Sequence, residues 1–295
     1  MILTMNKIEM ELGGKYLGLL REANDLLDDQ QALHARMEED GYLLIRGLHD
    51  VEKVKATRKF LLEKLDENEQ INRSHPLDAA IPAEGKRGMF WGGNQKVTHQ
   101  PPFLNLVESS EIMNFCEDYY NAPVLTYDYK WLRVVAPGSF TGAHYDIVYM
   151  GRGTRNLLTC WTPISDVSFD MASLIVLVGS HRFDVLKETY GKMDVDRDHV
   201  TGSFSYDPVE LVDRYGGQWQ TSEFKMGDVL IFSMYTMHAS LDNTSGCFRL
   251  STDTRYQRAD EPVDERWIGE NPKAHYAWTK GETVPMEEMR QKWGV

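Results

Sequence analysis

Phe248-Arg249-Leu250-Ser251-Thr252-Asp253-Thr254-Arg255-Tyr256 alternates with the period of a β-strand, which places Arg249 and Ser251 on the same face. An inward arginine is costly unless it meets an anion. Its planar fork suits a carboxylate held by two parallel hydrogen bonds, with the serine hydroxyl as an added donor. A structural ion pair with an Asp or Glu is the plainer use of the same arginine. Working outward, Gly227-Asp228 opens a turn into Val229-Leu230-Ile231-Phe232-Ser233, which reads as a buried strand. Further β-rich runs cover 124–135, 156–163, 173–178 and 229–234, separated by Gly, Pro, Asp and Asn, a spacing expected of a sandwich or barrel.

The N-terminal part differs in texture. Leu26, Leu27, Leu33 and Met37 fall close to helical spacing over 23–39, and Gly41 stops that helix. A strand is expected at 41–47, a second helix over 51–65 with Val54, Phe60, Leu61 and Leu65 inward, and a third over 110–120. These apolar stripes are core packing. The segment 74–102, with Gly85, Gly88, Gly92 and Gly93, reads as a long loop of the kind that covers functional sites. The expected fold class is mainly β with flanking helices. One domain is expected over 1–295, with N-terminal helices at about 1–122, a β core at about 123–256 and a C-terminal extension at about 257–295. That extension carries Trp267, Trp278 and Trp293 among Pro262, Pro272 and Pro285, a composition suited to capping the core or to meeting a partner.

Composition narrows the function. A hydrophobic share of 42% gives a substantial core, and no run approaches the roughly 20 apolar residues of a membrane span. Lys7, Glu9, Glu11 and Lys15 interrupt the start, so neither a signal peptide nor membrane insertion is expected, and a cytoplasmic location follows. Cys116, Cys160 and Cys247 are three and widely spaced, which argues for reduced thiols rather than a disulfide framework or a zinc clip. A formal charge of −13 without a basic cluster argues against nucleic acid and for a small-molecule substrate, taken by a monomer or homodimer.

The chemistry sits in His144-Tyr145-Asp146, which is the single His-x-Asp in the chain, and in His238. On a strand, residues i and i+2 share a face, so His144 and Asp146 reach one metal while Tyr145 turns away. Two imidazoles and one carboxylate leave open positions at non-heme Fe(II), the arrangement used for oxygen chemistry. Taken singly, the tripeptide also fits an exposed His beside a turn Asp, and His238 a satisfied core histidine. His181 competes as the distal ligand, but His238 alone stands one short strand ahead of the arginine and serine pair. Other candidates fail on chemistry. Asp194-Val195-Asp196-Arg197-Asp198 opens like a calcium loop, yet His199 replaces the required Gly and Ser205 the bidentate Glu. Gly151-Arg152-Gly153 lacks the third glycine of a dinucleotide fingerprint. Near the expected site, Tyr127, Tyr129, Trp131 and Arg133 alternate on one face, and Arg133, Arg152 or Arg155 could receive a substrate anion.

The order His144-x-Asp146, Cys160-Trp161-Thr162-Pro163, Gly179-Ser180-His181, Gly227-Asp228, His238 and Arg249-x-Ser251 resembles the phytanoyl-CoA dioxygenase family of Fe(II)/2-oxoglutarate oxygenases across about residues 41 to 256. The resemblance implies a double-stranded β-helix (jelly roll, cupin-like) core. It further implies that His144, Asp146 and His238 bind Fe(II), that Arg249 and Ser251 hold the distal carboxylate of 2-oxoglutarate, and that Trp161 lies near this co-substrate. With O2 the implied outcome is hydroxylation of an unactivated C–H bond, releasing succinate and carbon dioxide. Halogenating relatives carry a small residue in place of the carboxylate ligand, and Asp146 is retained here. Met171-Ala172 and Val178-Gly179-Ser180-His181 depart from the family's Asn-Gly and Pro-Gly-Ser-His turns. Desaturation, ring formation and C–P or C–N cleavage stay open at the same iron, as does a jelly-roll binding protein without catalysis.

Overall fold

The computed structural model describes residues 1–276, 281 and 283–295. Its strands are β1 (Ile2–Met5), β2 (Ile8–Glu11), β3 (Leu17–Leu19), β4 (Tyr42–Ile45), β5 (Gly88–Phe90), β6 (Val124–Thr126), β7 (Trp131–Val135), β8 (Leu157–Pro163), β9 (Leu174–Leu177), β10 (Trp219–Thr221), β11 (Val229–Ser233), β12 (His238–Ser240) and β13 (Arg249–Arg258). A seven-stranded sheet runs β4-β11-β8-β13-β7-β5, with β6 also paired to β13. A four-stranded sheet runs β12-β9-β10-β3, and β1 and β2 form a separate antiparallel pair. Only the β3 and β10 pairing is parallel among those described.

Alternation explains why these strands are buried on both faces. Leu43 and Ile45 of β4 and Val229 and Ile231 of β11 pack under the helices Gln30–Asp40 and Ser110–Tyr120. Tyr42, Leu44, Leu230 and Phe232, the residues between them, face Leu174 and Val176 of the smaller sheet. The larger sheet is therefore a middle layer between helices and the second sheet. A fully buried Leu, Ile or Phe stabilises such a layer by about 1.5–3 kcal/mol relative to exposure.

Several expectations are met. The helix over 110–120 is observed as Ser110–Tyr120, and the helix expected at 51–65 runs Val51–Glu67. Gly41 ends the first long helix at φ 84°, where a Cβ would lie 2.4 Å from Nδ1 of His181. Others need correction. That helix begins at Gln30 rather than 23, because Asp29 caps it through the Ala32 amide and Asn24–Leu26 forms a separate 3-10 turn. The segment 74–102 is not a plain loop, since β5 lies in it and pairs with β7. The run 124–135 is two strands, broken where Tyr129 turns its amide to Trp267. The region before 122 is not purely helical either, because β3 and β4 join the two sheets. Strands of three or four residues are too short to show a period. Among the described residues, no helix is long and apolar enough to cross a membrane.

Candidate active site

His144 and His238 face each other across an antiparallel bridge, each amide donating to the other's carbonyl at 3.0 and 3.1 Å. Their ring centroids are 4.1 Å apart. Asp146 does not continue a strand, as its His-x-Asp spacing suggested. It is the cap residue before the short helix Ile147–Met150, with helical φ and ψ, and that turn swings its carboxylate back to the imidazoles. Oδ1 of Asp146 lies 3.8 Å from Nε2 of His144 and 3.8 Å from Nε2 of His238. The three side chains are buried, and one ligand atom from each falls within 4.8 Å of the others. Tyr145 turns away and donates its hydroxyl to the Ser180 carbonyl at 2.6 Å.

The surroundings fix which atoms point inward. Nδ1 of His144 donates to the Gly142 carbonyl at 2.8 Å, and Nδ1 of His238 to the Thr236 carbonyl at 2.9 Å. Each Nε2 then keeps its lone pair, the outer-shell device found around metal-binding histidines. Burial, reinforced by His238, pushes the His144 pKa down to about 3, and burial also lowers that of His238. Burial pushes the Asp146 carboxyl upward, but the Arg255 guanidinium above all, with the Thr159 hydroxyl, outweighs it and holds it below the usual range. The site is thus ready as two neutral imidazoles and one carboxylate.

Arg249 and Ser251 lie on the inward face of β13, as alternation predicts. The Arg249 guanidinium is buried, stacks 5.7 Å from the Trp161 ring and donates to Ser251 Oγ. Its Nε has no hydrogen-bond partner, nor has Nε1 of Trp161, and among the described residues Arg249 makes no ion pair. Burial and the neighbouring Arg133 push its pKa down to about 9. A buried cation with unmet donors is a cradle for an anion. It opens on a narrow cleft shared with Trp161, His238 and His144. These residues fit Fe(II) at the triad and a carboxylate at Arg249.

The cleft adjoins a larger cavity of about 410 Å³ walled by Tyr129, Trp131, Tyr149 and Met150. Of the expected substrate residues, Trp131 and Arg133 line it. Tyr127 does not, because it is fully buried in the core behind that wall. Arg133 is committed to Asp253 through bonds of 2.7 and 2.8 Å. Arg152 pairs with Asp194 at 2.8 Å, and His181 meets the Glu38 carbonyl at 2.8 Å, a turn role as expected. Arg255, Asp253, Thr141, Ser203 and His275 also line the site, and none of them belongs to a motif legible in the sequence. Asp253 and Arg255 do continue the Arg249 and Ser251 alternation, the period of a strand rather than a motif. His275 comes from the extension, which caps the core: Trp267 packs against Tyr129 and Trp131 with centroids at 5.0 and 4.9 Å. Trp293 ends half-buried on the closing helix Met286–Trp293, and Trp278 lies outside the described residues.

Residues 37–251 match the family described as Phytanoyl-CoA dioxygenase (PhyH). The chain belongs to the phytanoyl-CoA dioxygenase family. It is an Fe(II)- and 2-oxoglutarate-dependent oxygenase with a mostly β, cupin-type jelly-roll core flanked by helices, its two sheets remaining unclosed. Among relatives of this dioxygenase are the 1-deoxypentalenic acid 11-beta-hydroxylases of Streptomyces exfoliatus and Streptomyces arenae. They are 26% and 25% identical, each alignment covering 81% of this chain and 84% of the relative. The epimerase SnoN from nogalamycin biosynthesis, solved with Fe3+ and alpha ketoglutarate, shares the fold at a TM-score of 0.57 and 17% identity, over 88% of this chain and 98% of its own. The carbocyclase SnoK does so at 0.55 and 19%, over 78% and 84%.

Proposed function

We propose that this dioxygenase hydroxylates an unactivated C–H bond of a small organic molecule, consuming 2-oxoglutarate and O2 and releasing succinate and carbon dioxide. The observation that carries the reading is the convergence of His144, Asp146 and His238 beside a buried arginine that makes no ion pair among the described residues. His144 and His238 serve through Nε2 and Asp146 through Oδ1, the three atoms that face one another. Arg249 and Ser251 hold the distal carboxylate of the co-substrate, with Trp161 as its flank. When bound, iron and 2-oxoglutarate supply the oxidation of the C–H bond by O2. The chain itself binds, orients and excludes water, which protects a strong oxidant from side reactions. Tyr129, Trp131 and Tyr149 form the apolar wall, and Arg133, held by Asp253, lines the same cavity, which supports a role in orienting a polar end of the substrate. A cavity of about 410 Å³ suits a compact molecule of modest size, consistent with relatives that hydroxylate 1-deoxypentalenic acid. Ring formation or epimerisation at the same site is the second reading, favoured by the fold shared with SnoK and SnoN. A monomer or homodimer in the cytoplasm completes the proposal, resting on the composition.

Anaerobic addition of Fe(II) and 2-oxoglutarate is expected to give a weak visible charge-transfer band, and candidate substrates are expected to stimulate succinate release. Asp146→Ala should abolish both signals. An Asp146→Ala protein that keeps the band and the parental turnover would sink the assignment.

A further inference from the structure

The inward face of β13 carries Arg249, Ser251, Asp253 and Arg255 in succession, and the last two do a different job from the first two. Nη2 of Arg255 donates to Oδ2 of Asp146 at 3.0 Å, and the Thr159 hydroxyl donates to that same oxygen at 2.5 Å. Oδ1 instead faces both imidazoles. One oxygen of the carboxylate is therefore saturated with donors, and the other is turned to the metal position. Arg255 is itself held firmly. Its Nη1 donates to Oδ2 of Asp253 at 3.0 Å, its guanidinium lies 4.3 Å over the Trp131 ring, and Arg133 grips Asp253 from the far side. Arg255, Asp146 and Asp253 are 1%, 1% and 4% exposed, so water does not compete for these bonds.

We propose that Arg255 is a positioning residue that, together with Thr159, occupies Oδ2 of Asp146 and restricts this carboxylate to a single-oxygen ligand. The inference rests on the metal-site reading above. A carboxylate can offer one or both oxygens to a metal. Two imidazoles and one oxygen leave a face of open positions. A chelating co-substrate and O2 need all of them, so a second Asp146 oxygen would displace one or the other. Arg255 also places a cation beside a divalent ion, which weakens metal binding by charge repulsion. Removing it should therefore split two affinities that a merely structural ion pair would lower together.

The test uses the full chain, metal-free, with Mn(II) as the probe. Mn(II) is titrated by electron paramagnetic resonance, and 2-oxoglutarate is then titrated into the loaded protein. For Arg255→Met the expected result is Mn(II) affinity within about threefold of the parent, or tighter, with 2-oxoglutarate binding at least about tenfold weaker. If Arg255→Met does not fold, Thr159→Val is measured instead, with a loss of about two- to fivefold expected in 2-oxoglutarate binding alone. Unchanged 2-oxoglutarate affinity would overturn the inference, as would a parallel loss of Mn(II) affinity and thermal stability. A parent chain that takes up no Mn(II) would overturn the metal-site reading as well, which separates the two failures.

Discussion

Two buried networks of arginine and aspartate meet the cavity, and they use the same chemistry to opposite ends. In the tail network Arg266 meets Asp264 at 2.5 Å, Asp196 at 2.5 Å and Asp194 at 3.3 Å, while Arg152 adds a second cation to Asp194 at 2.8 Å. Asp196 then receives Nδ1 of His275 and the Tyr276 amide, both at 2.8 Å, which fixes the extension over the cavity. In the metal network, Arg133, Asp253 and Arg255 hold Asp146, but Asp146 lines the larger cavity and Arg249 lines the cleft beside it. Buried charge that is matched fastens one segment to another. Buried charge that is left over marks where a ligand belongs.

The same substitution should separate them. Arg266→Leu removes the cation shared by three buried carboxylates, of which Asp194 keeps Arg152, and is expected to cost about 3–5 kcal/mol in urea unfolding. Arg249→Leu removes a cation that makes no ion pair among the described residues, so its stability should stay within about 1 kcal/mol of the parent or rise. Its 2-oxoglutarate KM should instead increase about 100-fold, two charge-assisted bonds being lost. Equal destabilisation by both would erase the distinction.

A smaller effect sharpens it. Asp196→Asn weakens the hold on His275 and Tyr276, so the Tyr276 amide should exchange with deuterium about tenfold faster while Mn(II) affinity stays within about twofold. Exchange that does not change would mean the extension is anchored elsewhere. The mildest probe is pH. Burial pushes the Asp194 carboxyl up, but Arg152, the Arg197 amide and Arg266 outweigh it, leaving it below the ordinary value. A depressed carboxylate stabilises the fold above its unfolded pKa of about 3.9 and loses that contribution as pH falls through its folded value. Proteolytic release of the extension should hence be flat from pH 8 to about 5 and rise only below about 4. Release that begins near pH 6 would point to histidine rather than Asp194.

What the sequence shows of this site follows from distance along the chain. Arg249 and Ser251 are legible because a two-residue period places them on one face whatever the tertiary fold. Asp253 and Arg255 continue that period, yet their meaning depends on Asp146, 109 positions from Arg255, and no local pattern encodes such a pairing. His144 and His238 are legible through residue type and motif order, whereas the turn that brings Asp146 back to them is a tertiary choice made at a helix cap. Tyr127 fits the alternation of Trp131 and Arg133 but falls on a broken strand, which sends it into the core. The helices over 51–67 and 110–120 announce themselves by an apolar stripe, while β3 and β5, of three residues each, have no room for one. The extension holds its place through ion pairs and through scattered apolar contacts such as Trp267 and Met286, not a periodic stripe, so no local pattern encodes its role.

The most direct test is anomalous scattering at the iron edge from crystals soaked without oxygen in Fe(II) and 2-oxoglutarate. A single peak is expected, bound by Nε2 of His144, Oδ1 of Asp146 and Nε2 of His238, with the far carboxylate of 2-oxoglutarate on Arg249. Iron bound elsewhere, or 2-oxoglutarate seated away from Arg249, would contradict it.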